Sequence, residues 1–476
     1  MALIYYALGI LAVGFLLAQG LKPRQITSGQ APFPKGPKAL PYLGNLHQLP
    51  LTKAFLAFTS WSRSLETSTP DGLVGLHLGP NSRAVVLNKW NHVRDLLDSP
   101  GKGAIYSDRP YVAAADYVIP NPPGTDLHLV FARYGPKWRR ARKTIVDFLN
   151  DKEVVSLVEV QEAESSQMMW ELLTGTSDGD AAYHRFVMRY FGAVILASVF
   201  GIRGKDSTPE STVMRFFAIQ DEWAGILDQG ALPPIEVFPW LRYIPDFLTP
   251  WRGWKARAEF LKKKQSSFYH ELFMKTEARL RARKSEDCFM SRLIQDQARA
   301  VQSGKDKGVY TQLELDYIGG FLMEGGADTT AMAFETFILA MASFPEIQKQ
   351  AQEEVDRVFG ANQLPCAADA KRLPFLKACF LEVSNPCFTI QRANSKMSIV
   401  LMPLLHTVDI AVATWLSHQY PPCNYDRRFV SGVLYTKGNN HYSQYLGYFS
   451  RHRSFRRPGC VQSLPLHIQS VWNQEY

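Results

Sequence analysis

Glu324-Gly-Gly-Ala-Asp-Thr-Thr330 sits inside Leu313–Ser343, thirty-one residues without a proline. A run of that length is about 45 Å long if wholly helical. Met323, Ala327, Phe334, Ile338 and Met341 put apolar side chains around it, which predicts a helix buried on several faces. Two adjacent glycines inside a helix each cost about 1 kcal/mol relative to alanine. Gly325 and Gly326 therefore need a physical reason, and close approach of a flat ligand supplies one. Beside them, Asp328 and Thr329 place a carboxylate and a hydroxyl where the helix can loosen. They read either as a proton-relay pair or as a solvated acid at a helix kink. Glu324, Asp328 and Glu335 exclude a membrane span here.

The 476 residues around this run are 46% hydrophobic, 12% aromatic and 20% charged. That composition is globular and excludes disorder, collagen and small disulfide-stapled frameworks. The cysteines, Cys288, Cys366, Cys379, Cys387, Cys423 and Cys460, show neither a disulfide-framework spacing nor a Cys-x-x-Cys metal clip. With 53 basic and 44 acidic residues the net charge is +9, which raises nucleic acid or an anionic membrane as a partner. The charge is unevenly placed, however. Residues 385–476 carry nine basic and three acidic side chains, so they supply six of the nine charges. The first 384 residues are nearly balanced, and no nucleic-acid partner is expected.

At the N-terminus, Met1–Leu21 carries no charged side chain, and Lys22 and Arg24 follow it. At about 1.5 Å per residue it just spans a bilayer core of about 30 Å, so a single transmembrane anchor is expected over 1–21. The charges after the apolar run place the rest of the chain in the cytoplasm. Residues 22–50 read as a proline-rich hinge, because Pro32, Pro34, Pro37 and Pro41 fix the backbone and remove amide donors. Val74–Leu78 and Ala84–Leu87, around Gly79-Pro80-Asn81-Ser82, predict a β-hairpin. Helical patterning dominates elsewhere, over Tyr183–Phe200, Arg252–Leu272 and Ile347–Phe359. The fold class is thus mostly α with a small β-sheet, in one domain over 51–384.

Two further passages carry chemistry. In Tyr134-Gly-Pro-Lys-Trp-Arg-Arg-Ala-Arg-Lys143, a helix starts at Gly135-Pro136 and sets Trp138 and Arg142 at i and i+4 on one face. This is either a paired donor site for a carboxylate or phosphate, or a basic helix on a solvated face. Arg139, Arg140 and Lys143 make the remainder a positive surface. Leu373-Pro-Phe-Leu-Lys-Ala-Cys-Phe-Leu-Glu-Val-Ser384 is a helix opened by Pro374, with Glu382 near its end.

In order along the chain, the anchor and proline hinge, Trp138-x-x-x-Arg142, Gly325-Gly-Ala-Asp-Thr-Thr330, Phe344-Pro-Glu-Ile with Glu353-Glu-Val-Asp356, and Leu373-Pro-Phe-Leu-Lys-Ala resemble the cytochrome P450 family of haem-thiolate monooxygenases. The likeness is to the microsomal type, and the style of Phe238–Phe247 to filamentous-fungal members that oxidise secondary metabolites. The resemblance implies a haem cofactor, with Trp138 and Arg142 holding a propionate and Gly325 and Gly326 beside the ring. It also implies Asp328 and Thr329 as the catalytic proton-delivering pair. Further implications are a lipophilic small-molecule substrate, electrons from NADPH-cytochrome P450 reductase at the basic surface, and a single-pass place in the endoplasmic reticulum membrane.

The resemblance stops at Ser384. Family members pair the glutamate of the third helix with an arginine three residues on, and here that position is Asn385. The axial thiolate, which favours O–O cleavage, belongs to Phe-x-x-Gly-x-Arg-x-Cys-x-Gly. Around Cys460 the four key positions are Arg453, Arg456, Pro458 and Gln462; around Cys423 they are Leu416, Gln419, Pro421 and Tyr425. Cys387 comes too early. No cysteine is in place as a metal ligand, and Cys460 is only a weak candidate. Residues 385–476 read as an aberrant tail, with the pattern of translation out of frame or through an intron. Three readings follow: an inactive member of the family, a non-catalytic membrane-anchored binding or scaffold protein, and an active enzyme using Cys460 or a tail histidine as an unorthodox ligand.

Overall fold

The structure is a computed structural model. It describes residues 32–391 apart from short internal stretches of at most six residues, with the backbone alone over 383–391. The anchor expected over Met1–Leu21 lies outside the described residues, and so does the tail beyond Gln391. Among the described residues, no helix is long and apolar enough to cross a membrane. The chain divides into two compact units. One takes residues up to 126 with 130–135 and 222–263; the other takes 127–129, 136–221 and the chain from 264 onward.

The first unit holds the hairpin, the one sheet found among the described residues. β1 (Leu73–Leu78) and β2 (Ser82–Leu87) pair antiparallel in a register from Leu73↔Leu87 to Leu78↔Ser82. The proline-rich segment is tied to the hairpin. The Gly75 amide donates to the Lys35 carbonyl at 2.9 Å. Asn45, fully buried, donates from its side chain to the Pro37 carbonyl (3.0 Å) and accepts from the His77 amide (2.8 Å). Prolines have no amide to offer a strand, so one asparagine side chain performs the clamping. Gly44 is required beside it: its φ is +65°, and a Cβ there would strike the His77 carbonyl oxygen. A second cluster in this unit gathers Ala113, Ile235 and Trp254, with Tyr117 edge-on to Trp254 at 4.7 Å.

The second unit is helical. Its elements include α1 (Pro136–Phe148), α2 (Val158–Thr174), α3 (Ala182–Phe200), α4 (Phe289–Gln302), α5 (Gln312–Gly326), α6 (Asp328–Ser343), α7 (Pro345–Phe359) and α8 (Pro374–Gln391). Helices Thr212–Leu227 and Trp254–Arg281 contribute residues 212–221 and 264–281. α3 is the central helix, in contact with α2, α4, α5 and α6. Its Val187, Tyr190, Ala193, Val194 and Leu196 are inaccessible to solvent, as expected of a helix apolar all round.

One ion cluster lies inside this packing. The Arg189 guanidinium, fully buried, meets Glu164 at 2.5 Å and Glu171 at 2.7 Å, tying α3 to α2. It also donates to the backbone carbonyls of Glu164 and Gly204, both at 3.3 Å.

Candidate active site

The proline-free run forms two helices that meet at Ala327. Thr311 opens α5 with a capping box, its hydroxyl accepting from the Glu314 amide while Glu314 accepts from the Thr311 amide. At the junction, two successive threonine hydroxyls bond back along the helix: Thr329 to the Gly325 carbonyl at 2.8 Å, and Thr330 to the Gly326 carbonyl at 2.7 Å. Such back-bonds compete with the backbone ladder and bend helices, which accounts for the break between α5 and α6. The neighbours then diverge. Thr330 is fully buried, whereas Thr329 is exposed.

The two glycines differ in their surroundings. A Cβ on Gly326 would lie 2.8 Å from Cδ1 of Ile195, so this glycine admits α3 against the junction. Gly325 is half-buried, and its carbonyl receives the Thr329 hydroxyl.

Asp328 stands among other titratable groups. His184 Nδ1 lies 2.5 Å from Glu335 Oε1, and this bond holds the His184 pKa above its ordinary value, with the Glu335, Asp221 and Asp328 charges adding to it. Partial desolvation and the Asp328 charge push the Asp221 carboxyl up. A histidine raised by a partner contributes stability below its unfolded pKa, lost as pH rises through the folded value. Glu335→Gln is therefore expected to lower the His184 pKa toward about 6.5, as read by NMR titration of the imidazole resonances.

Trp138 and Arg142 share a face of α1, as the spacing implied. Arg142 stacks on the indole, its Cζ 5.3 Å from the ring centroid, a cation–π contact on that face. Arg140 departs from the expected positive surface. It turns inward, bonds Glu314 at 3.0 Å and lies over the Tyr310 ring at 4.1 Å, docking α1 on the start of α5. Arg139, Arg142 and Lys143 are exposed.

A buried acid with three side-chain partners was not among the sequence candidates. Glu324, buried one residue before the glycine pair, accepts from Tyr269 Oη and, at 3.3 Å, from Gln265 Nε2. His128 Nε2 lies 2.7 Å from its other oxygen. Tyr269 reaches it because its ring lies on Gly320, where a Cβ would collide with it. Burial and the adjacent Glu324 charge hold the Tyr269 phenol well above its ordinary pKa. The sequence signal was present in a second doublet, Gly319-Gly320, one turn upstream of a glutamate in an apolar helix.

The far end of the fold bears on the metal ligand. Glu354 of α7 accepts from the Phe375 and Leu376 amides at 3.0 and 2.9 Å and caps α8. Glu382 is exposed, and no described cation pairs with it. Among the described cysteines, Cys288 caps α4 from a buried position, Cys366 caps a short turn, and Cys379 is packed in α8. Burial pushes the Cys366 and Cys379 thiols up, away from thiolate. Cys387 falls in the backbone-only part of α8, and Cys423 and Cys460 lie outside the described residues. No described cysteine fits an axial haem ligand, and no group of three described histidine, cysteine or acidic residues could hold a metal ion. The described residues thus include the helix junction expected on one side of a haem, without the group that would ligate its iron.

A mostly helical fold with one two-stranded sheet among the described residues, and with Gly-Gly-Ala-Asp-Thr-Thr at the α5–α6 junction, is consistent with the family that the sequence resembles. The sequence profile described as Cytochrome P450 matches residues 34–383. The chain is 30% identical over 354 residues to Cytochrome P450 monooxygenase AOL_s00215g282 of Arthrobotrys oligospora, covering 74% of this chain and 61% of the relative. It is 30% identical over 351 residues to Cytochrome P450 monooxygenase acuC of Aspergillus aculeatus, covering 73% and 61%. Against Cytochrome P450 monooxygenase macC of Penicillium terrestre it is 31% identical over 384 residues, 79% of this chain and 66% of the relative. The chain spans about three fifths of the length of the first two of these curated relatives. It belongs to the cytochrome P450 family.

Proposed function

We propose that this chain is a member of the fungal secondary-metabolite branch of the family that does not itself carry out monooxygenation. Its intact relatives would insert one oxygen atom of O₂ into a lipophilic substrate, with electrons from a reductase and haem as the cofactor. One observation carries the reading: the arginine and the cysteine motif that the family requires are both replaced after Ser384, where the family match also ends, at residue 383. No step through haem is assigned to Asp328, Thr329, Trp138 or Arg142 in this chain. Thr329 keeps its bond back to the Gly325 carbonyl, and Arg142 its stack on Trp138. Anchoring in the endoplasmic reticulum membrane through Met1–Leu21, with the remainder cytoplasmic, is part of the same proposal, and its support is the apolar run followed by Lys22 and Arg24.

Reconstitution tests the catalytic half. The full chain, in vesicles with haem, NADPH-cytochrome P450 reductase and a panel of lipophilic substrates, is expected to show NADPH oxidation no faster than reductase alone and no oxygenated product. Substrate-dependent NADPH oxidation coupled to a hydroxylated product would defeat the reading.

A further inference from the structure

Between helices Thr212–Leu227 and Trp254–Arg281, the first unit carries two short 3-10 turns, Pro239–Tyr243 and Asp246–Leu248. They present large apolar side chains to solvent: Trp240 is 50% exposed, Tyr243 80%, Phe247 72% and Leu248 67%. Side chains i and i+3 of such a turn eclipse, so Trp240 and Tyr243 lie on one side. The backbone beneath them offers few free donors. The amides of Leu241, Ile244, Leu248 and Thr249 donate to carbonyls of the same segment at 3.0, 3.2, 3.0 and 3.2 Å. Pro239, Pro245 and Pro250 have no amide at all. Apolar side chains over amides that are bound or absent suit a medium poor in hydrogen-bond partners.

The segment is braced from within its own unit. Phe238 stacks on Tyr42 with ring centroids 5.5 Å apart, Leu241 packs on the cluster of Ala113, Ile235 and Trp254, and Lys255 Nζ donates to the Arg242 carbonyl at 2.7 Å. Arg242, Arg252 and Lys255 set three cations against one acid, Asp246, over residues 239–255.

We propose that Trp240, Tyr243, Phe247 and Leu248 seat the folded body in the interfacial layer of a bilayer, with Arg242, Arg252 and Lys255 against anionic phospholipid headgroups. Two arguments favour lipid over a protein partner. Exposed aromatic rings with polar tips, interleaved with arginine and lysine, are the composition of surfaces that lie at a membrane interface. Tyr42, stacked behind the patch, belongs to the proline-rich segment that leads back to Met1–Leu21, and the ten residues 22–31 reach about 36 Å at most. An anchor at 1–21 would therefore hold this patch close to the same bilayer, and that argument rests on the anchoring proposed above.

Photolabelling tests the surface. The full chain is placed in phosphatidylcholine vesicles, with and without phosphatidylserine, that carry a diazirine phospholipid, and the labelled peptides are mapped after irradiation. Label is expected within 239–255, falling severalfold when phosphatidylserine is left out. The double substitution Tyr243→Asp and Phe247→Asp is expected to lower it by about tenfold or more while label on 1–21 is unchanged. No label within 239–255 in the unsubstituted chain, label unchanged by the double substitution, or equal label with and without phosphatidylserine would overturn the inference. The two membrane readings fail separately: label on 1–21 alone defeats this surface, and label on 239–255 alone defeats the anchor.

Discussion

Arg189→Met is expected to lower the unfolding free energy by about 3–5 kcal/mol, a large share of the roughly 5–15 kcal/mol that holds a typical domain folded. Methionine fills the same space without the charge, so the loss comes from what remains behind. Glu164 is fully buried, and burial raises its pKa even with Arg189 2.5 Å away. Without the guanidinium it would hold its proton more tightly still. A carboxyl whose pKa is raised in the folded state is least harmful in acid and more destabilising as pH rises above its unfolded value. The deficit of the variant should therefore be smallest below pH of about 4.5 and grow toward neutrality. Urea denaturation at several pH values measures this. Equal destabilisation across the range would contradict the buried-ion account. Because α2 and α3 meet through this cluster and α3 carries Ile195 against Gly326, loosening it also loosens the α5–α6 junction.

Glu324→Ala is expected to have an effect of similar size, for the opposite reason. The acid is removed, and Tyr269, Gln265 and His128 lose an acceptor or charge partner inside the core. Each buried polar group left unsatisfied costs about 1–3 kcal/mol, so the three together set a range of about 3–9 kcal/mol. The effect should be centred on the bend. Amide hydrogen exchange of residues 325–330 should speed up more than that of α4, which lies away from the junction. Glu324→Gln, keeping one acceptor oxygen, should lie between the two chains. Uniform acceleration across both helices would indicate global loss of stability and no special role at the bend.

The sequence revealed features whose cause is local. Alternating apolar residues around Gly79-Pro80 indicated the hairpin, and the proline-free run indicated a long buried helix, because strand and helix periods are properties of neighbouring residues. The position of the bend was also legible, since Gly325, Gly326 and Thr329 lie within a turn of one another. What escaped was set by partners far along the chain. Glu324 is held by residues 55, 59 and 196 positions away, and Gly326 is shaped by Ile195. Arg140 has the same charge as its exposed neighbours and differs from them only because Glu314 and Tyr310 lie under it. Asn45, in a proline-rich stretch, looks like a loop residue until the His77 backbone is placed beside it. The end of the family likeness near Ser384 was legible as composition, because three of 44 acidic residues fall in the last 92.

On the proposed function, residues 385–476 supply no thiolate to a haem iron. The carbon monoxide difference spectrum of the full chain, supplied with haem and reduced with dithionite, tests it most directly. No thiolate-type Soret band is expected at any haem-to-protein ratio. A thiolate-type band that disappears in a Cys460→Ala or Cys423→Ala variant would contradict it and identify the ligand.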